Sequence, residues 1–266
     1  MLSYKTTGHL LSVQDPENYP VCSAYLPVRL AHSTEIRNAH TEELLPPFRV
    51  LDATMAMLRF EQSRQAWNGS WTFRQLKSTL TAAAVPPGID KVVALACSPF
   101  SWAEWVYPSM GTVHHALALV LRDFLAARDP THEIRCFAQD PLYTPVDEQV
   151  LSEAGFTVVD DPRAFLEVDE ASALVCWSPD IPVKQIVADL ARPALIIWNR
   201  VDREDLDKDW QVHGPQPALR HNPNFVGSPD PVSTRVLRMM EEYVELPFLT
   251  DNGYFASMAI YVRKAQ

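Results

Sequence analysis

The chain has 266 residues, 47% hydrophobic and 21% charged, a globular mix long enough for one α/β core with decoration. Lysine and arginine number 23 against 33 aspartates and glutamates, and the net charge of −10 disfavours an unpatterned polyanion binder. There are only 8 glycines and no two are separated by a single residue, which excludes the dinucleotide fingerprint and the P-loop in their usual forms.

Residues 1–50 are proline-punctuated and weakly periodic, and read as an irregular arm packed on the core or on a partner. Residues 54–67 and 71–84 have helical spacing, the second stopped by Pro86-Pro87-Gly88. These two segments carry Arg59, Arg64, Arg74 and Lys77, a local basic cluster in an acidic protein. From residue 89 short apolar runs alternate with helical stretches. Strands are predicted at 91–97, 134–138, 156–159, 173–177 and 194–199, with helices at 112–127, 146–154 and 182–190 between them. Gly155 supplies a C-terminal stop for the second of these helices. Residues 202–230 read as a polar excursion, 233–244 as a helix, and 254–262 as a last strand, antiparallel and at an edge.

The alternation predicts a Rossmann-like, doubly wound, mainly parallel sheet with an irregular and helical N-terminal extension. Its division is 1–88 for arm and helices and 89–266 for the core. Neither the start of the chain nor any apolar run fits a signal peptide or a bilayer span, so a soluble cytoplasmic protein without membrane contact is expected. The four cysteines, Cys22, Cys97, Cys136 and Cys176, form no C-x-x-C and read as small buried hydrophobes. No metal-ligand spacing such as H-E-x-x-H occurs, and neither a metal nor another cofactor is expected; no G-x-S-x-G elbow occurs, which disfavours an ordinary α/β-hydrolase.

Ligands of open α/β sheets bind beyond the carboxyl ends of the strands, near the point where strand order reverses. Those ends carry Ser98, Ser101 and Trp102; Asp140 and Tyr143; Asp160 and Asp161; Trp177; and Asn199 and Arg200. His114 and His115 open the following helix. The same residues also suit turns, caps and core. As a set they suit an organic ligand better than a bare phosphate.

The segments HHALALVLRDFL, CFAQDPLYTPVDEQVLSEAGFTVVDD and VCWSPDIPVKQIVADLARPALIIW resemble the fungal branch of the SRR-like (sensitivity to red light reduced) domain family. The core from Gln139-Asp140-Pro141 through Tyr143, Asp147 and Leu151 to Gly155 is the most specific part. The resemblance implies a Rossmann-like sheet. It leaves open regulatory or haem-linked roles, with His114, His115 or a cysteine on haem, and a cyclase or isomerase using Asp140 or His115.

A second similarity is to cyclodipeptide synthases, carried by ALACSPFSWAEWV, EEYVELPFL and SMAIYV. It implies that Ser98 is an acyl acceptor for aminoacyl-tRNA, that Glu245 holds and deprotonates the ammonium, and that Tyr261 or Tyr243 orients the chain or donates to the oxyanion. Glu241 stands where that family has a tyrosine. With the strand-end residues, the expected substrate site is Ser101, Trp102, His115, Asp140, Tyr143, Asp147, Trp177, Asn199 and Glu241, and under this resemblance Asp140 and Asp147 read a cationic side chain such as arginine. The implied partners are an aminoacyl or other small-molecule substrate and a tRNA, the latter held by the basic cluster or by Arg200 and Arg203. The whole scheme requires Ser98 and Glu245 to share a pocket.

Overall fold

The computed structural model describes residues 2–4, 28–30, 36–37, 40–41, 44–45, 49–103, 110–204, 230–250, 255 and 257–265. The chain falls into two compact units, a smaller one of residues 1–35, 179–189 and 201–241, and a sheet unit of residues 36–178, 190–200 and 242–266.

The sheet unit is built on five parallel strands: β5 (Lys91–Leu95), β6 (Arg135–Gln139), β7 (Thr157–Val158), β8 (Ser172–Cys176) and β9 (Leu195–Asn199). Every residue of β5 and of β8 is buried, as continuous apolar runs require of a parallel strand covered on both faces. Two further strands, β10 (Tyr243–Pro247) and β11 (Met258–Arg263), extend the sheet to the order β10-β11-β9-β8-β5-β6-β7. β11 is antiparallel to both neighbours, so it alone runs against the rest. The chain builds outward from β5 through β6 to β7, then returns to the other side of β5 for β8 and β9. Strand order therefore reverses between β5 and β8.

The α/β class and the mainly parallel sheet agree with the sequence. Two particulars differ. The last strand is antiparallel but lies inside the sheet, because a strand missed in the sequence, β10, forms the edge. The helix expected over 233–244 stops at Met240, and Tyr243-Val244-Glu245-Leu246-Pro247 pairs with β11 instead. Tyr243 is buried there while Val244 and Glu245 are both exposed, so the burial does not alternate and the strand is defined by its pairing with β11.

Helix α1 (Ala53–Gly69) is capped by Asp52, whose carboxylate accepts from Met55 N at 2.9 Å. Ser70 ends α1 and caps α2 (Trp71–Ala82), its hydroxyl accepting from Phe73 N at 3.0 Å. α1 lies on α3 (Met110–Arg128): Thr112 Oγ1 donates to Ser63 Oγ at 2.8 Å, and Phe60 packs on Phe100 with ring centroids 5.4 Å apart. Phe60 and Phe100 are fully buried, each contributing about 2–3 kcal/mol by burial. The remaining elements of this unit are α4 (Pro145–Glu153), α5 (Arg163–Leu166) and the two-residue pair β3 (Ile36–Arg37) and β4 (Leu44–Leu45).

In the smaller unit β1 (Leu2–Tyr4) pairs with β2 (Val28–Leu30). Helix α6 (Val183–Leu190) begins there, and α7 (Thr234–Met240) lies wholly within it. Lys184 and Asp230 form a buried ion pair at 2.7 Å, and Asp230 also accepts from Lys184 N at 2.8 Å. Burial pushes the Asp230 carboxyl up, and the Lys184 ammonium opposes that push. The excursion expected over 202–230 and most of the expected N-terminal arm lie outside the described residues. Among the described residues no helix is long and apolar enough to cross a membrane.

Candidate functional site

The carboxyl edge of the sheet concentrates unusual backbone. Four described non-glycine residues have positive φ, Ala96 (52°), Ser98 (67°), Ser178 (35°) and Ser257 (63°). All four sit at that edge: two follow β5, one follows β8, and one precedes the antiparallel β11. Left-handed backbone at a non-glycine residue costs about 1–2 kcal/mol, and such strain gathers at functional sites.

The turn after β5 is held by two carboxylates. Asp140, just past β6, accepts from Ser98 N at 2.9 Å and from Leu142 N at 3.0 Å. Asp147 is fully buried. Its Oδ1 accepts from Phe100 N and Ser101 N, both at 2.9 Å. Its Oδ2 accepts from Thr144 N, and the Ser101 and Thr144 hydroxyls also lie 2.9 Å from it. Thr144 and Asp147 form a capping box at the start of α4. Gly111, in the first turn of α3, presses on the same turn; a Cβ there would stand 2.5 Å from the Ser98 carbonyl oxygen and 2.7 Å from that of Pro99. Ser98 is half-buried, and among the described residues its hydroxyl makes no hydrogen bond.

Behind this turn His115 is fully buried. Its Nδ1 is 2.6 Å from the Gly111 carbonyl and its Nε2 2.6 Å from the Tyr143 hydroxyl. A carbonyl only accepts, so Nδ1 carries the hydrogen and Nε2 accepts from Tyr143. Burial lowers the imidazole to about 4 against the bond to Gly111, and it raises the Tyr143 phenol well above its usual value. His114 Nδ1 donates to the Cys97 carbonyl at 3.3 Å. Trp177, half-buried at the end of β8, packs against His114 and Phe255 at centroid distances of 5.0 and 5.8 Å. Ser178 N donates to Asn199 Oδ1 at 2.8 Å, which joins the ends of β8 and β9.

Ser98, Asp140 and Tyr143 thus gather around the ends of β5 and β6, and Trp177 and Asn199 at the ends of β8 and β9. Several expected roles are corrected. Asp147 and Ser101 are sealed in the latch beneath the turn and read no substrate. Trp102 is buried, its backbone bridged to Val50. His115 has both nitrogens engaged inside the core, which removes it as a haem ligand or a surface acid–base group. Glu245 stands in β10, four strand positions from β5, about 19 Å at the usual strand spacing. It faces Tyr261, whose hydroxyl donates to it at 3.2 Å, and Arg200 at 2.8 Å. Ser98 and Glu245 therefore do not share a pocket. Tyr243 is at the amino edge of the sheet, donating to the Pro193 carbonyl at 2.8 Å. Glu241 is the exposed C-cap of α7, in the smaller unit.

Of the basic cluster, Arg64 pairs with Glu61 at 2.8 Å, Arg74 donates to the Gly69 carbonyl at 2.8 Å, and Lys77 is exposed. Cys97, Cys136 and Cys176 are buried and in no disulfide, and burial pushes the Cys136 thiol up to about 12. Cys22 and residues 205–229 lie outside the described residues. The sequence signals overlooked were T-x-x-D at Thr144, a capping box that commits Asp147 to the fold, and the lone Gly111, which marks a close backbone approach.

The structure is a mainly parallel α/β sheet whose strand order reverses beside a strained, carboxylate-held turn, the position at which open α/β sheets as a class bind ligands. The family is set by comparison: the SRR1 domain model matches residues 76–261, more than half of the chain, so the chain belongs to the SRR1 domain family. The match spans every strand from β5 to β9 and the whole of β10. No curated protein matches the chain. The similarity to cyclodipeptide synthases rests on the short motifs alone.

Proposed function

We propose that this SRR1 domain acts on a small organic ligand at the carboxyl edge of β5, with Ser98 as acyl acceptor in a cofactor-free transfer. The observation that carries the reading is Ser98 itself, half-buried, at φ 67° three residues past β5, with its hydroxyl unengaged among the described residues. Strained backbone at non-glycine residues gathers at functional sites, and here it falls on a serine at the carboxyl end of the first parallel strand.

The donor is an aminoacyl ester, as on the 3′ end of a tRNA. Ser98 Oγ attacks the ester carbonyl carbon; the new Oγ–C bond forms, the bond to the ribose oxygen breaks, and the hydroxyl proton passes to that departing oxygen. One ester replaces another, so no external energy source is required. Two amide-forming steps between two aminoacyl groups, each releasing an alcohol, then close a cyclic dipeptide. Asp140 positions the nucleophile by holding Ser98 N. Glu245 has no part in this version.

The test is the intact mass of the full chain after incubation with aminoacyl-tRNA. An aminoacyl adduct mapped to Ser98 and absent from Ser98→Ala supports the reading. A protein that is never acylated, or that yields the same product as Ser98→Ala, is a ligand-sensing domain or uses other chemistry.

A further inference from the structure

Helix α2 has two unlike faces. Leu76 and Leu80 are buried in the hydrophobic core. Phe73, Arg74, Lys77, Ser78, Thr81 and Ala82 recur every three to four residues on the other side, as one face of a helix requires, and they line a groove of about 590 Å³. Small-molecule sites run from about 300 to 1,000 Å³, so the groove has room for a ligand the size of a nucleotide. Phe73 is half-buried and the other five lining residues are exposed.

The groove carries one sign of charge. Residues 62–89 hold no aspartate or glutamate, in a chain that has 33 of them. A solvated helix face ordinarily mixes both signs, which pair between successive turns. Here Arg74 gives one N–H to the Gly69 carbonyl at 2.8 Å and keeps the rest of its fork. Among the described residues no carboxylate pairs with Arg74 or Lys77, and the Ser78 hydroxyl makes no hydrogen bond. Thr81 Oγ1 donates to the Lys77 carbonyl at 2.7 Å. A guanidinium fork, an ammonium and a hydroxyl on successive turns, with no anion among them, is a donor set that suits a phosphate.

One end of the groove is aromatic. Phe73 packs against Trp67 with ring centroids 6.5 Å apart. Trp67 is 4% exposed, and its Nε1 has no acceptor among the described residues. A buried donor without an acceptor is rare in a folded protein, and here it stands next to the aromatic wall of a groove. An exposed ring face beside cations is the pairing by which single nucleotides are held, the base stacked and the phosphate on the charge.

We infer that the outer face of α2 is a binding site for a phosphorylated nucleoside: Phe73 stacks the base, and Arg74, Lys77 and Ser78 take the phosphate. The site is separate from Ser98, and its occupation neither requires nor implies acyl transfer. The same chemistry is offered by a free nucleotide and by the unpaired end of an RNA strand.

Calorimetric titration of the full chain at low ionic strength tests it, with adenosine 5′-monophosphate, adenosine, inorganic phosphate and the trinucleotide CCA as probes. The monophosphate binds, and adenosine or phosphate alone binds about tenfold more weakly or less, because each lacks one half of the contacts. Lys77→Glu, an exposed substitution, weakens the monophosphate about tenfold or more with an unchanged melting temperature. Phe73→Leu, which keeps an apolar side chain, weakens the monophosphate and leaves phosphate as it was. Arg238→Glu on α7 makes the same charge change elsewhere and leaves binding unaltered. CCA bound about tenfold tighter than the monophosphate identifies a strand end as the ligand; equal affinity identifies the free nucleotide. Absence of monophosphate binding, equal binding of inorganic phosphate, or an equal loss in Arg238→Glu overturns the inference.

Discussion

Two regions of one sheet carry the residues that the sequence singled out, and they are built differently. The turn after β5 is held by buried or half-buried carboxylates that accept backbone N–H groups, and its backbone is forced into left-handed conformations. The margin formed by β9, β11 and β10 carries Glu245, Tyr261 and Arg200 in a part-exposed ion pair on regular strands. A charge on a regular strand near solvent contributes little to stability. A carboxylate that satisfies several donors under a strained turn defines the shape of a site.

Removing the latch gives the largest expected effect. Asp147→Ala leaves the buried N–H groups of Phe100, Ser101 and Thr144 without their acceptor, and the loss is about 4 kcal/mol. Urea unfolding checks this; a loss below about 1 kcal/mol would mean that the turn does not depend on the carboxylate.

Acid separates the regions next. Burial holds His115 at about 4 in the folded chain against 6.5 for a solvent-exposed imidazole, so the unfolded chain binds its proton first. The stability it permits is intact above pH 6.5 and falls as pH drops toward 4. The loss saturates on the order of 3 kcal/mol. Unfolding free energies at pH 7 and pH 4, for wild type and His115→Gln, measure it; the same acid dependence in both would assign the loss elsewhere.

Relief of strain is smaller and opposite in sign. Ala96→Gly raises stability by about 1 kcal/mol, because glycine adopts φ 52° without a Cβ clash. A drop in stability would show that the methyl group packs usefully. Smallest of all, Glu245→Gln changes stability by less than about 1 kcal/mol and leaves acylation of Ser98 unchanged. A marked loss of acylation would return Glu245 to the mechanism.

The sequence carried the parallel strands well because each is a short apolar run bounded by turn residues, as at Lys91–Leu95 and Leu195–Asn199. It also located the strand ends where Ser98, Asp140, Trp177 and Asn199 lie. It missed β10 because Tyr243–Pro247 follows a short helix with no glycine or proline between them, and the strand pattern appears only through pairing with β11. Motif spacing placed Glu245 beside Ser98 because distance along a chain does not reveal a strand's position across a sheet. Left-handed backbone at Ala96 and Ser98 was invisible for a similar reason: it is imposed by the carboxylates of Asp140 and Asp147 and by the approach of Gly111, all distant in sequence.

The central claim is that the strained serine after β5, and no group on the far margin, is the reactive hydroxyl. The most direct measurement is peptide-mapped mass spectrometry of the chain after exposure to aminoacyl-tRNA, run in parallel on wild type, Ser98→Ala and Glu245→Gln. The expected result is one aminoacyl group on Ser98 in wild type and Glu245→Gln and none in Ser98→Ala. An adduct that survives in Ser98→Ala, or none in wild type, would contradict it.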